Sequence, residues 1–326
     1  MIHNVVRSGL GILALSLILV GCGAPGAALQ TPAPNATAET PAPQGTLESP
    51  APHHGTVQGA LLIVGGGPRP AEIMDRFIEL AGGAGHARIA VVPMASGNPA
   101  AAGESLVEEM LGLGAAHAFS LNLTREEALE ETAARRLDGV TGVWFSGGVQ
   151  SRHTAALKDT PVEEKLHQLY RDGAVLGGTS AGAAIMSPLM ITGGERRPGG
   201  DRPRDEAWIT IDRDNVVTSP GFGFLPGAIV DQHFVRRKRH NRLMSLVFEH
   251  PDQIGVGIDE ATALQVDPDG RWHVVGSSVV VIYDARSAAT APEDVGALGA
   301  AGVRMHVLPG GAVFDPGTGQ AFLPAS

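Results

Sequence analysis

One stretch constrains this chain more than any other: Gly177-Gly178-Thr179-Ser180-Ala181-Gly182-Ala183. It follows the apolar run Ala174-Val175-Leu176 and precedes Ala184-Ile185-Met186. That order reads as strand, sharp turn and helix. In this setting G-x-S-x-G, here Gly178 to Gly182, forms a nucleophile elbow. A serine at such a turn is strained, and its hydroxyl stands clear of the sheet. Small residues on both flanks let backbone and ligand approach closely. The helix that follows aims its positive end and free N–H groups at the point where an oxyanion would develop. The competing reading is a tight glycine turn that merely packs a helix on a sheet. The preceding strand, the small flanks and the helical continuation favour the elbow. A base and an acid must then exist elsewhere.

The first residues are read apart from the fold. Arg7 precedes an uncharged run, Gly9 to Val20, then Gly21 and Cys22. A basic start, a short apolar core and a small residue before the cut describe an export signal. The core is shorter than the roughly 20 residues a membrane-spanning helix needs. Leu19-Val20-Gly21-Cys22 resembles the lipobox of bacterial lipoproteins. That resemblance implies cleavage after residue 21, a lipid on Cys22, and a membrane contact through this anchor alone at the bacterial cell envelope. Cys22 is the single cysteine, which excludes a disulfide framework and thiolate metal sites. Residues 22–55 read as a tether: seven prolines among Ala, Thr, Gly and Ser cannot build a core. Asn35-Ala36-Thr37 is a chance-level sequon, and His53-His54 is a solvated pair in that tether. The net charge of −10 argues against nucleic acid as a partner, since phosphate binding needs a basic face.

From residue 56 to 326 apolar strands alternate with helical patterns. Ala60–Val64, Ala87–Val92, Gly142–Phe145 and the serine strand are continuous apolar runs, the signature of a parallel sheet covered on both faces. Glu104–Leu113 and Val162–Asp172 read as helices. Thr124-Arg125-Glu126-Glu127 is a capping box that should open a helix to about Leu137. Beyond Met190 the pattern changes to strands and hairpins: Ala207–Val217, Gln253–Ile258, Ala261–Val266, Trp272–Tyr283, and a small hairpin over Val303–Phe314. The expected fold is one α/β domain with a mostly parallel central sheet, helices on both faces and extra C-terminal β hairpins. Three glycine turns, Gly65–Gly67, Gly147–Gly148 and Gly177–Gly178, sit at strand ends, where such sheets bind ligands. The first lacks G-x-G-x-x-G spacing and runs into Pro68 and Pro70, which argues against a nucleotide loop.

A serine hydroxyl needs a base. Of twelve histidines, His233 stands out at the end of the apolar strand Gly227–Gln232, beside Asp231 and Gln232. The base needs an orienting acid. Gly255–Ile258 ends in Asp259-Glu260, and alternation lets only one of the two face His233; spacing alone leaves the choice open. Arg236-Arg237-Lys238-Arg239 and Arg242 place five cations in seven residues after His233. A charge run is usually a solvated helix face, but beside a base it suits carboxylate binding.

These motifs together resemble the cyanophycinase family of serine peptidases, whose fold is similar to class I glutamine amidotransferase domains and flavodoxin-like sheets. The resemblance rests on Gly178–Ala183, Gly221–Pro226 leading into Asp231-Gln232-His233-Phe234, Arg237, Arg239, Arg242, Leu243, Gly257–Glu260 and Phe145–Gln150. It runs from about Leu61 to Phe314. It implies Ser180 as nucleophile, His233 as base and Glu260, not Asp259, as orienting acid. It further implies an oxyanion hole from the N–H groups of Gly148 and Ala181. Gln150, Asp231, Gln232, Arg237, Arg239 and Arg242 would shape the substrate site, and no metal or organic cofactor is required. The implied substrate is cyanophycin, a poly-aspartate carrying arginine on each side chain, cut to β-aspartyl-arginine dipeptides. Its guanidinium groups would meet acids in the insertion Gly193–Glu206, such as Glu195, Asp201 or Asp205. Relatives imply a homodimer. Val149 departs from the aspartate usual before the glutamine, which leaves room for a related dipeptidase acting on other aspartyl peptides. A binding lipoprotein of the same fold without turnover is the more distant alternative.

Overall fold

A computed structural model describes residues 57–196, 208–292 and 297–325. The signal and tether segments, Cys22, the Asn35 sequon, His53-His54, Asp201 and Asp205 lie outside the described residues. The chain opens with β1 (Leu61–Val64), α1 (Ala71–Leu80), β2 (Arg88–Val92), α2 (Pro99–Gly112) and β3 (His117–Ser120). There follow α3 (Arg125–Ala128), α4 (Glu131–Arg135), β4 (Gly142–Phe145), α5 (Gln150–Leu157), α6 (Pro161–Arg171), β5 (Val175–Thr179) and α7 (Ala181–Ala184). The second half holds β6 (Leu189–Glu195), β7 (Val216–Pro220), β8 (Ala228–Gln232), α8 (His240–Glu249), β9 (Ile254–Ile258) and β10 (Thr262–Val266). It ends with β11 (Trp272–Gly276), β12 (Val279–Asp284), β13 (Ala289–Thr290), β14 (Ala300–Ala301), β15 (Arg304–Pro309), β16 (Val313–Asp315) and β17 (Gln320–Phe322).

A nine-stranded sheet has the order β17-β16-β11-β10-β1-β5-β4-β2-β3. The five strands from β1 to β3 are parallel, as their apolar runs predict. The other four extend them antiparallel, making the sheet mixed. Alternate residues feed opposite faces. Leu61, Ile63, Val143 and Phe145 enter a core with α6. Leu62, Val64 and Trp144 enter another with α1 and α2. A second sheet, β15-β12-β9-β8, packs against α8 over Leu243, Leu246 and Val247. Asn98 and Thr160 cap α2 and α6 by accepting from Ala101 N and Glu163 N, each with proline at the first helical position. Among the described residues no helix is long and apolar enough to cross a membrane.

Four expectations need correction. The capping box at Thr124 forms, with both reciprocal bonds, but its helix stops at Ala128 and resumes at Glu131. Ala128 and Leu137 are both buried, yet nine residues separate them, about half a turn out of phase on one straight helix. The break at Glu130 lets both reach the core. Val303–Phe314 is not a hairpin: β15 pairs with β12 in the small sheet, and β16 pairs with β11 and β17 in the large one. Trp272–Tyr283 likewise divides between the sheets at Gly276, whose φ of 112° favours glycine. Of the expected strand Ala207–Val217, residues 208–217 are described, and among these only Val216 and Val217 fall in a strand, because Asp214 takes a left-handed turn, φ 53°, just before β7.

Gly177 in β5 packs between two rings. A Cβ there would stand 2.8 Å from Trp144 Cε3 and 2.9 Å from Phe77 Cδ2. Gly177→Ala should cost about 1–3 kcal/mol by overpacking. Urea unfolding should show a lower midpoint at unchanged slope; a wild-type midpoint would mean the two rings can part freely.

Candidate active site

Every residue of β5 is buried, and the strand ends on Ser180 with φ 55° and ψ −105°. Ser180 N donates to Val64 O at 3.0 Å, tying the elbow to β1. The motif glycines work by contact: a Cβ on Gly178 would come 2.7 Å from Gly182 O. The helix after the serine is one turn, Ala181–Ala184, so it offers individual N–H groups and no extended macrodipole. Ala183 N and Ala184 N are used internally, on Ser180 O at 3.0 Å.

His233 follows β8 with φ 49°. Its Nε2 lies 2.9 Å from Ser180 Oγ, and its Nδ1 lies 2.6 Å from Glu260 Oε1. A carboxylate only accepts, so Nδ1–H donates to Glu260 and Nε2 is left to accept the serine hydroxyl. Asp259 points elsewhere: its carboxylate accepts from Arg236 N at 2.8 Å and from Ser278 Oγ at 2.7 Å. Burial lowers the His233 pKa below its ordinary value. The hydrogen bond to Glu260 opposes that shift, and the cations of Arg237 and Arg239 add to it. The imidazole is therefore neutral near pH 7, as a base must be.

Gly65–Gly67, one of the three glycine turns expected at the ligand-binding strand ends, lies directly against the row. His233 N donates to Gly65 O at 2.7 Å and Ala261 N donates to Gly66 O at 3.0 Å. A side chain on Gly66 would occupy the His233 ring, and one on Gly67 would come 2.9 Å from Glu260 Oε2. The only sequence signal was a glycine run at a strand end. The turn Gly147–Gly148 flanks the serine from β4: a Cβ on Gly147 would lie 3.6 Å from Ser180 Cβ. Gly148 has φ 139°, and a side chain on it would clash with the Ala95 carbonyl. Ala181 follows the serine directly and opens the one-turn helix.

The six expected substrate contacts divide. Arg237 is half-buried beside His233. Arg239 Nη1 donates to Gln232 O at 2.6 Å and Gln232 Oε1 at 2.8 Å. Gln150 Nε2 donates to Ile191 O at 2.7 Å, holding α5 to β6. Asp231 and Arg242 are 1% and 2% exposed and form a bidentate ion pair with each other, which braces the loop that carries His233. Arg242 also lies under the Trp208 ring, 5.8 Å from its centroid.

A serine, an imidazole and a carboxylate in a hydrogen-bonded row can perform acyl transfer. The sequence profile of peptidase family S51 matches residues 61–273, which contain all three groups. The cyanophycinase of Synechococcus elongatus is 35% identical over 276 residues, 82% of either chain. That of Trichormus variabilis is 38% identical over 230 residues, 69% of this chain and 73% of its own. That of Geminocystis herdmanii is 34% identical over 275 residues, 81% and 96%. The crystal structure of a peptidase from an acI-B1 Actinobacterium shares the fold, with a TM-score of 0.58 at 21% identity over 82% of this chain and 98% of that one. Sequence and fold agree with the chemistry of the row, and this chain belongs to peptidase family S51, as a serine-type peptidase.

Proposed function

We propose that this protein is a cyanophycinase-like serine peptidase that hydrolyses multi-arginyl-poly-aspartate to β-aspartyl-arginine dipeptides. The Ser180–His233–Glu260 row carries this reading. Ser180 Oγ attacks a backbone carbonyl beside aspartate while His233 Nε2 takes its proton. Glu260 stabilises the imidazolium so formed. The N–H groups of Gly148 and Ala181 receive the oxyanion. His233 then protonates the leaving amine, and a water activated by the same nitrogen releases the acyl group. Arg237 and Arg239 suit the free carboxylates of the substrate's arginines. Val149, 46% exposed at the start of α5, supports a second reading, in which other aspartyl peptides are the substrate.

Purified protein should digest cyanophycin, with β-aspartyl-arginine identified by mass. Turnover of small aspartyl dipeptides alone would favour the second reading. Ser180→Ala should reduce kcat by about 10⁴-fold or more while leaving thermal unfolding unchanged; parallel loss of fold would make the elbow a structural turn.

The pH profile follows from the base. His233 acts when neutral, and its pKa is lowered, so the acid limb of kcat/KM should have its midpoint below the usual value of about 6.5. Arg237→Gln removes a cation and should move that midpoint up. Glu260→Gln removes the group that raises it, so the midpoint should move down, and kcat should fall about 10³–10⁴-fold through loss of the correct tautomer. An unmoved midpoint in both variants would place the base elsewhere.

The lipobox-like Leu19–Cys22 supports export and anchoring at Cys22. In cells, Cys22→Ala should shift the protein from the membrane to the soluble fraction; continued sedimentation with membranes would refute the anchor. A homodimer is part of the same family expectation and would show as twice the monomer mass in solution light scattering.

A further inference from the structure

His153, on α5, is fully buried and takes no part in the row of Ser180, His233 and Glu260. Its Nε2–H donates to the Ser146 carbonyl at 3.1 Å. Its other ring nitrogen, Nδ1, is buried without a hydrogen-bond partner. The ring stands edge-on to Phe145, 5.6 Å between centroids. Burial lowers its pKa to about 4, so it is neutral under working conditions and carries one N–H. The carbonyl it meets only accepts, which fixes that proton on Nε2. An aliphatic or phenyl side chain would fill such a site without leaving a polar atom stranded, so this histidine asks for an explanation beyond packing.

Its acceptor supplies one. Ser146 opens the turn Ser146-Gly147-Gly148, which faces the Ser180 side chain. Two consecutive glycines place little intrinsic restriction on their peptide planes. The turn is held at one end by Ser146 N donating to Val92 O at 3.0 Å. It is held at the other by Val149 N donating to Ala95 O at 2.8 Å. Between these ends, the bond from His153 fixes the Ser146 carbonyl. A trans peptide is planar, with its C=O and N–H opposed, so drawing the carbonyl toward α5 turns the Gly147 N–H the other way.

We propose that His153 is a positioning residue. It clamps the Ser146–Gly147 peptide, and with it the backbone leading into Gly148, whose N–H would receive the oxyanion. A neutral donor does this without adding a charge that would perturb His233. The inference rests on the reading of Ser180 as nucleophile.

The test compares His153→Phe, which fills the space without a donor, with His153→Gln, which keeps an amide donor. His153→Phe should keep its thermal midpoint while kcat falls about ten- to a hundredfold and KM changes less than twofold. A peptide aldehyde, which forms a tetrahedral adduct with the serine, should lose affinity by the same factor as kcat. Intact substrate should bind the Ser180→Ala protein equally well with and without His153→Phe. His153→Gln should recover most of the rate. If His153→Phe does not fold, the aldehyde affinity and kcat of His153→Gln and His153→Leu decide: parity between these two would overturn the proposal. Wild-type kcat in a folded His153→Phe protein would overturn it as well. Turnover surviving Ser180→Ala would instead remove the nucleophile assignment itself.

Discussion

The hydrogen bond from His233 N–H to the Gly65 carbonyl, 2.7 Å long, joins the nine-stranded and four-stranded sheets at the point where Ser180, His233 and Glu260 meet. Ser180 follows a strand of the large sheet and His233 and Glu260 follow strands of the small one, so the distances within their row depend on that junction. One short segment serves all three. Val64 O receives Ser180 N, Gly65 O receives His233 N and Gly66 O receives Ala261 N, next to Glu260. The segment can do this only because it carries no side chains beyond Val64: both Gly66 and Gly67 lie against the ring and the carboxylate. Ser180, His233 and Ala261 all have positive φ, each at a cost of order 1–3 kcal/mol. The strain sits where three strand ends converge, and the bonds to one loop hold it there.

Electrostatics follow from the same arrangement. A base buried at a sheet junction is driven toward neutrality, and the cations after it reinforce this. Glu260 opposes both effects, so the imidazole keeps enough basicity to take a proton. The arginine block is not a uniform surface. Arg242 is spent inside on Asp231 and Arg239 on Gln232, and these bonds stiffen the chain on both sides of the base. Stiffness here shows up as positioning, because a base displaced by an ångström loses most of its rate advantage.

Much of this was legible in the sequence because it depends on local pattern. Continuous apolar runs announce buried parallel strands, and a serine between glycines after such a run announces an elbow. Strand ends are also where Ser180, His233 and Glu260 come together. What stayed hidden depends on partners remote in sequence. Nothing between Val303 and Phe314 says that β15 and β16 belong to different sheets, since the choice is made where the chain crosses at Gly276 and Gly310. The helix after Thr124 breaks because the core, not its own propensity, dictates which faces must be buried. The Gly65–Gly67 loop showed only as a glycine run at a strand end and His153 not at all: one acts through missing side chains, the other through a single bond to a backbone carbonyl.

The choice between Asp259 and Glu260 shows how register and strain combine. β8 and β9 are parallel neighbours joined through α8, with Gln232 opposite Ile258. Continued without interruption, that register would set His233 beside Asp259. The chain does not continue extended: at φ 49° His233 leaves the β region, and its ring meets Glu260 instead. Asp259 is thereby released to hold Arg236 N and Ser278 Oγ, which fixes the start of the arginine block. A left-handed residue at one strand end thus assigns two adjacent carboxylates two different tasks. Glu260 follows His233 in the chain because the two come from consecutive parallel strands of one βαβ unit, β8–α8–β9.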